Sequence, residues 1–95
     1  MMHLEGNVLF LAGDLDLKNL MAFRHDIESQ VASSSSITVD LTDLMVHGSA
    51  ILSLLVFLKR RAIADNRSVQ IRGCREVVRQ MARVAELEAL LGLTA

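Results

Sequence analysis

The densest apolar stretch of the chain runs from Ile51 to Leu58, where Ile51, Leu52, Leu54, Leu55, Val56, Phe57 and Leu58 are interrupted only by Ser53. A helix that is apolar on nearly every face belongs in an interior, so this segment is expected to be a buried central helix. Ahead of it, Ile37-Thr38-Val39-Asp40-Leu41 has the β-branched content of a strand. Behind it, Asp65-Asn66-Arg67 reads as a turn and Ser68 to Arg72 as another strand, closed by Gly73. Strand, helix and strand make a βαβ unit, whose strands are expected to be parallel and whose crossover right-handed.

The N-terminal third reads differently. Met2–Leu4 and Val8–Leu11 are short strand-like pieces around Gly6-Asn7, which predicts a hairpin. Gly13-Asp14-Leu15-Asp16 breaks that pattern, and either aspartate is placed to cap a helix from about Leu17 to Val31. Its stripe is Leu17, Leu20, Phe23 or Arg24, Ile27 and Val31. The four serines Ser33–Ser36 read as the loop back to the sheet. After Gly73, a helix is expected over Cys74–Val84 with Val77, Val78, Met81, Ala82, Val84 and Ala85 inward and Arg75, Arg79 and Arg83 on an exposed ridge. Glu86–Leu91 continues or restarts it, and Gly92 suits a C-cap. The order β-β-α-β-α-β-α-α predicts one α/β domain over residues 1–95, with a small mixed sheet.

Composition supports this picture. Ninety-five residues close one hydrophobic core, and 52% hydrophobic against 22% charged residues is a globular balance. The longest strictly apolar run, Leu54–Leu58, ends at Lys59-Arg60-Arg61, far short of the roughly 20 residues of a membrane span. No direct membrane insertion is expected, and the start MMHLEGNV carries no secretory pattern, so the expected location is cytoplasmic. The single Cys74 cannot form an internal disulfide. A net charge of −1 hides an asymmetry: residues 1–58 hold two basic residues against seven acidic ones, residues 59–83 eight against two. The basic block reads as a solvated helical face, with an acidic protein or a membrane surface as the functional alternative. The near-neutral total and the absence of Tyr and Trp argue against nucleic acid.

Little of the sequence points to catalysis. His3, His25 and His47 fall in a strand, a helix and a loop without metal-ligand spacing. Asp43, His47 and Ser49 are crowded into one loop with no G-x-S-x-G around the serine, and no phosphate-binding glycine motif is present. No cofactor, metal or catalytic centre is expected, and a binding module is favoured over an enzyme. What remains is Ser49 at the front of the central helix. As an N-cap it would contribute about 1 kcal/mol; the same hydroxyl could meet a partner or accept a phosphate, which a helix N-terminus tolerates. Leu44, Met45 and Val46 beside it would form an apolar contact surface that a dianion disrupts.

Leu11-Ala12-Gly13-Asp14-Leu15-Asp16, then Val39-Asp40-Leu41-Thr42 with a small-residue helix start at Ser49-Ala50, then Ile71-Arg72-Gly73, together resemble the STAS domain. That family includes the bacterial anti-sigma-factor antagonists and a small STAS subunit of the Mla phospholipid-transport ABC system. The resemblance covers essentially the whole chain. Asp40, Leu41, Thr42, Leu44 and Leu52 match the antagonist loop motif, and Ser49 matches the first of its two serines. Gly48 stands where that motif has aspartate, Ala50 where the usual phosphoacceptor lies and Ile51 where it has glycine. The Mla-type motif, one Ser or Thr followed by a small residue, is closer here.

The resemblance implies a protein-binding regulator docking on a kinase-type anti-sigma factor, with Ser49 as phosphoacceptor or contact. The alternative is an accessory subunit docking on an ABC ATPase in phospholipid transport. Either way the expected surface is the 42–49 loop, namely Thr42, Asp43, Leu44, Met45, Val46, His47, Gly48 and Ser49, extended by Ala50 and Ser53. Whether the chain forms a homodimer is left open.

Overall fold

The computed structural model describes residues 2–31 and 36–93. Its elements are β1 (Met2–Glu5), β2 (Val8–Leu15), α1 (Leu20–Val31), β3 (Ser36–Val46), α2 (Ala50–Ala64), β4 (Ser68–Arg72), α3 (Glu76–Val84) and α4 (Glu88–Leu91). The sheet order is β1-β2-β3-β4, with β1 antiparallel to β2 and both later pairings parallel. The hairpin and the βαβ unit expected from the sequence are both present. Of the serine loop, 33–35 lie outside the described residues.

Alternation along the strands sets the core. Leu9, Leu11, Ile37, Val39 and Leu41 are buried on one face, where they meet Phe23 and Ile27 of α1 and Ile51, Leu54, Leu55 and Leu58 of α2. Burying each such side chain is worth roughly 1.5–3 kcal/mol. The opposite face carries a row that crosses all four strands, His3–Phe10–Asp40–Arg72. Helix α2 is central, packing on α1, α3, α4 and β4. Lys59 on α2 donates to the Val69 carbonyl of edge strand β4 at 2.6 Å, and burial pushes its pKa down.

Several local expectations change. Strand β3 does not end at Leu41. Register moves from Phe10↔Asp40 to Ala12↔Asp43, so β3 carries one extra residue there, and neither of its pairings includes Leu41 or Thr42. The strand then continues to Val46, so most of the expected 42–49 loop is strand. Likewise β2 runs through Gly13 to the fully buried Leu15.

Helix α1 starts at Leu20 rather than Leu17. Asp16 Oδ1 accepts from the Lys18 and Asn19 N–H groups at 2.8 and 3.0 Å, while Asn19 Oδ1 accepts from the Asp16 N–H. This reciprocal cap spends residues 17–19 on a turn and leaves Leu17 72% exposed. Burial of α2 is one-sided: Ala50, Ile51, Leu54, Leu55, Leu58 and Ala62 face the core, whereas Leu52, Val56 and Phe57 are only half-buried.

Helix α3 starts at Glu76 and turns Val78 and Ala82 inward, which leaves Val77, Val84 and Ala85 exposed. The arginine ridge separates into three independent bonds, one of them long-range. Arg75 precedes the helix and donates to the Thr42 carbonyl at 3.1 Å; Arg79 is half-buried and pairs with Glu76, and Arg83 pairs with Glu88. Gly92 closes α4 in the left-handed conformation, as its sequence position suggests.

Candidate functional site

The carboxyl ends of β2 and β3 and the entrance of α2 converge on one end of the sheet. Two bonds fasten β3 to β2 there. The His47 N–H donates to the Leu15 carbonyl at 3.0 Å, and His47 Nε2 lies 2.8 Å from Asp14 Oδ1. Asn19 Nδ2 donates to the Asp14 carbonyl at 2.6 Å, which ties the same corner to the cap of α1. Gly48 then turns the chain into α2 with φ +72°, a left-handed conformation, and a Cβ built there would meet nothing within 4 Å.

Ser49 occupies the N-cap position, but with φ −95° and ψ 6° its side chain makes no capping bond. It lacks the extended backbone from which a serine hydroxyl reaches back to the helix amides. Among the described residues the hydroxyl is therefore exposed and uncommitted, at the positive end of a 15-residue helix whose first turn holds no acidic residue.

The other expected contacts divide by strand parity. Met45 is 49% exposed, His47, Gly48 and Ser53 are exposed, and Val46 is half-buried. Leu44 and Ala50 are fully buried, so their side chains belong to the core and present nothing to a partner. Thr42 and Asp43 are exposed but lie earlier on β3. Asp43 lines a hollow with His3, Glu5, Phe10 and Ala12 rather than meeting His47, whose carboxylate partner is Asp14. The Asp43–His47–Ser49 grouping is not assembled.

Behind the tip stands a second polar cluster that the sequence did not announce. Arg72 Nε donates to Asp40 Oδ2 at 2.6 Å, and the Thr42 N–H donates to Asp40 Oδ1 at 2.8 Å, which supplies an acceptor to a residue the bulge has removed from the ladder. Burial alone would raise the Asp40 pKa, but the Arg72 and Thr42 bonds outweigh it and hold the carboxyl below its ordinary value. Gly73, at φ +71°, packs so closely that a Cβ would collide with the Thr42 hydroxyl and backbone nitrogen. Cys74 is half-buried with its thiol pushed up by burial, which suits a packing residue rather than a nucleophile.

The outer side of α2, also unforeseen, is a groove of about 540 Å³. Leu52, Val56 and Phe57 line it, with Arg24, Arg60 and Arg61 around them. A signal was present in the spacing: apolar positions 52, 56 and 57 and basic positions 60 and 61 follow one another at helical intervals. Only the packing of α1 adds Arg24. Among the described residues no helix is long and apolar enough to cross a membrane.

Comparison with known proteins adds three findings. The family model described as "Mlab, STAS domain" matches residues 2–92. Among solved structures, the chain is similar to the anti-sigma factor antagonist SpoIIAA in its unphosphorylated form, with a TM-score of 0.71 and 15% sequence identity; the match covers 100% of this chain and 98% of that one, a likeness of fold. No curated protein matches the sequence.

Proposed function

The chain belongs to the STAS domain family, matched by its Mlab-type model over residues 2–92, and we propose that it is a non-enzymatic docking module acting on a partner protein. The surface is the tip: Met45, Val46, His47, Gly48, Ser49 and Ser53, with Thr42 and Asp43 at its border. The observation that carries this reading is the uncommitted Ser49 hydroxyl at the open entrance of α2, beside a half-exposed methionine. The partner is an ABC ATPase of an Mla-type phospholipid transporter, on the cytoplasmic side. The family model supports this choice, as does Ala50, a buried residue without a hydroxyl at the place where an antagonist-type phosphoacceptor would lie.

One observation favours a second reading, docking on a kinase-type anti-sigma factor. Ser49 is free to take a phosphate, and α2 would accommodate it, because its first turn is without acidic residues. The two readings part experimentally. Co-expressed with an Mla-type ATPase from the same genome, the chain is expected to co-purify, Ser49→Ala to co-purify too, and Ser49→Asp to lose the complex. Incubated with a cognate kinase and ATP, a single phosphate that Ser49→Ala abolishes would favour the second reading. If Ser49→Asp bound its partner normally, the tip would not be the docking surface.

A further inference from the structure

The groove along the outer side of α2 has an apolar floor and an incomplete set of charges. Its positions on α2 run from Leu52 to Ala64, about 18 Å at 1.5 Å per residue, with Leu87 closing one flank. Leu52, Val56, Phe57 and Leu87 are half-buried, so apolar surface there is left partly uncovered.

The three arginines around this floor are not equivalent. Arg61 is committed, holding Glu28 at 2.9 Å and Asp65 at 3.1 Å. Arg24 stacks over the Phe57 ring, 4.2 Å from its centroid, and its Nη1 donates to the weak acceptor Met21 Sδ at 3.4 Å. Its Nε is buried and has no hydrogen-bond partner among the described residues. Arg60 is exposed and has no ion-pair partner among them either. A guanidinium is a rigid fork built for a carboxylate, and burying part of one without an acceptor costs free energy that a ligand would recover.

We propose that this groove seats an acidic amphipathic helix of a partner protein. The apolar stripe of that helix covers Leu52, Val56 and Phe57, and carboxylates on its flanks pair with Arg24 and Arg60. Charge complementarity selects this occupant. The concave shape opposes a membrane, because a bilayer takes up a helix whose apolar side stands proud. The groove lies one turn beyond Ser49 and meets the tip at Ser53, but its chemistry does not depend on what binds the tip.

The test uses a fluorescein-labelled 14-residue helical peptide with a leucine stripe flanked by glutamates, and a twin with every glutamate replaced by lysine. In fluorescence anisotropy the acidic peptide is expected to bind at least about tenfold more tightly than its twin, since one lost charge pair in a partly dry site is worth about 1.4 kcal/mol or more. Arg24→Glu with Arg60→Glu reverses that preference, while Ser49→Asp leaves it unchanged, which separates the groove from the tip. Equal binding of the two peptides, or acidic-peptide binding that survives the double reversal, overturns the proposal. So does co-sedimentation with phosphatidylglycerol–phosphatidylcholine vesicles that the same reversal abolishes, which would reassign the groove to a lipid surface. If circular dichroism shows the reversed variant unfolded, Arg24→Gln with Arg60→Gln serves instead, and retained tight binding of the acidic peptide overturns the proposal.

Discussion

Two neighbouring regions, one inside β3 and one running from its end to the entrance of α2, are built on opposite plans. Around Asp40 and Thr42 the polar groups find partners inside the protein: Arg72 and the Thr42 N–H on the carboxylate, Arg75 on the Thr42 carbonyl, and Gly73 pressed against both residues. From Met45 to Ser49 the side-chain tie back to β2 is His47 on Asp14, beside the strand pairing of Met45 and Val46, and the segment ends on an exposed hydroxyl with no bond among the described residues. The first region spends its chemistry on holding the bulge. The second leaves its polar groups exposed, and it rests on the first, because the bulge decides which side chains of the tip turn outward.

The contrast can be broken in order of effect. Gly73→Ala places a Cβ against the Thr42 backbone at a left-handed residue, and is expected to lower stability by about 2–4 kcal/mol in urea unfolding. A cost below about 1 kcal/mol would mean that the corner is looser than described. Asp40→Asn removes the charge from the Arg72 pair and is expected to cost about 1–2 kcal/mol near neutral pH.

That difference has a pH signature. A carboxyl held below its ordinary value contributes fully above that value, 3.8, and the contribution fades as pH falls through the lower folded value. Wild type and Asp40→Asn should therefore converge in acid, and parallel stability curves would argue against the pair. His47→Ala removes an exposed pair with Asp14 and is expected to change stability by under about 0.5 kcal/mol while weakening partner binding. The smallest stability effect is expected for Ser49→Ala, under about 0.3 kcal/mol, because the capping bond that gives such serines their usual 1 kcal/mol is not made.

The sequence revealed what depends on short-range pattern. The β-branched run at Ile37–Leu41 and the turn at Asp65-Asn66-Arg67 placed the βαβ unit correctly. It misled where one residue of phase was inserted. Leu41 and Leu44 are three apart, which reads as the end of a strand, yet both are buried because the bulge resets the alternation between them. The same slip made Leu44 look like part of an open loop. Ser49 stood out as a helix-entry residue, but the backbone angles that deny it a cap have no sequence signature. Contacts across long separations were invisible: His47 reaches Asp14, and Arg24 crosses from α1 to Phe57. An all-apolar helix also concealed which of its sides would stay partly uncovered.

Gly48 carries a consequence for descent. Its left-handed turn leaves empty space where a side chain would go, so only backbone handedness restricts the position. Aspartate visits that conformation more readily than most residues and would cost at most roughly 1–2 kcal/mol. The antagonist-type loop carries aspartate at this place, so one tolerated substitution separates the two versions of the tip there. The other two departures from that loop, Ala50 and Ile51, are fully buried, so position 48 can be edited at the rim while those two cannot change without repacking the core.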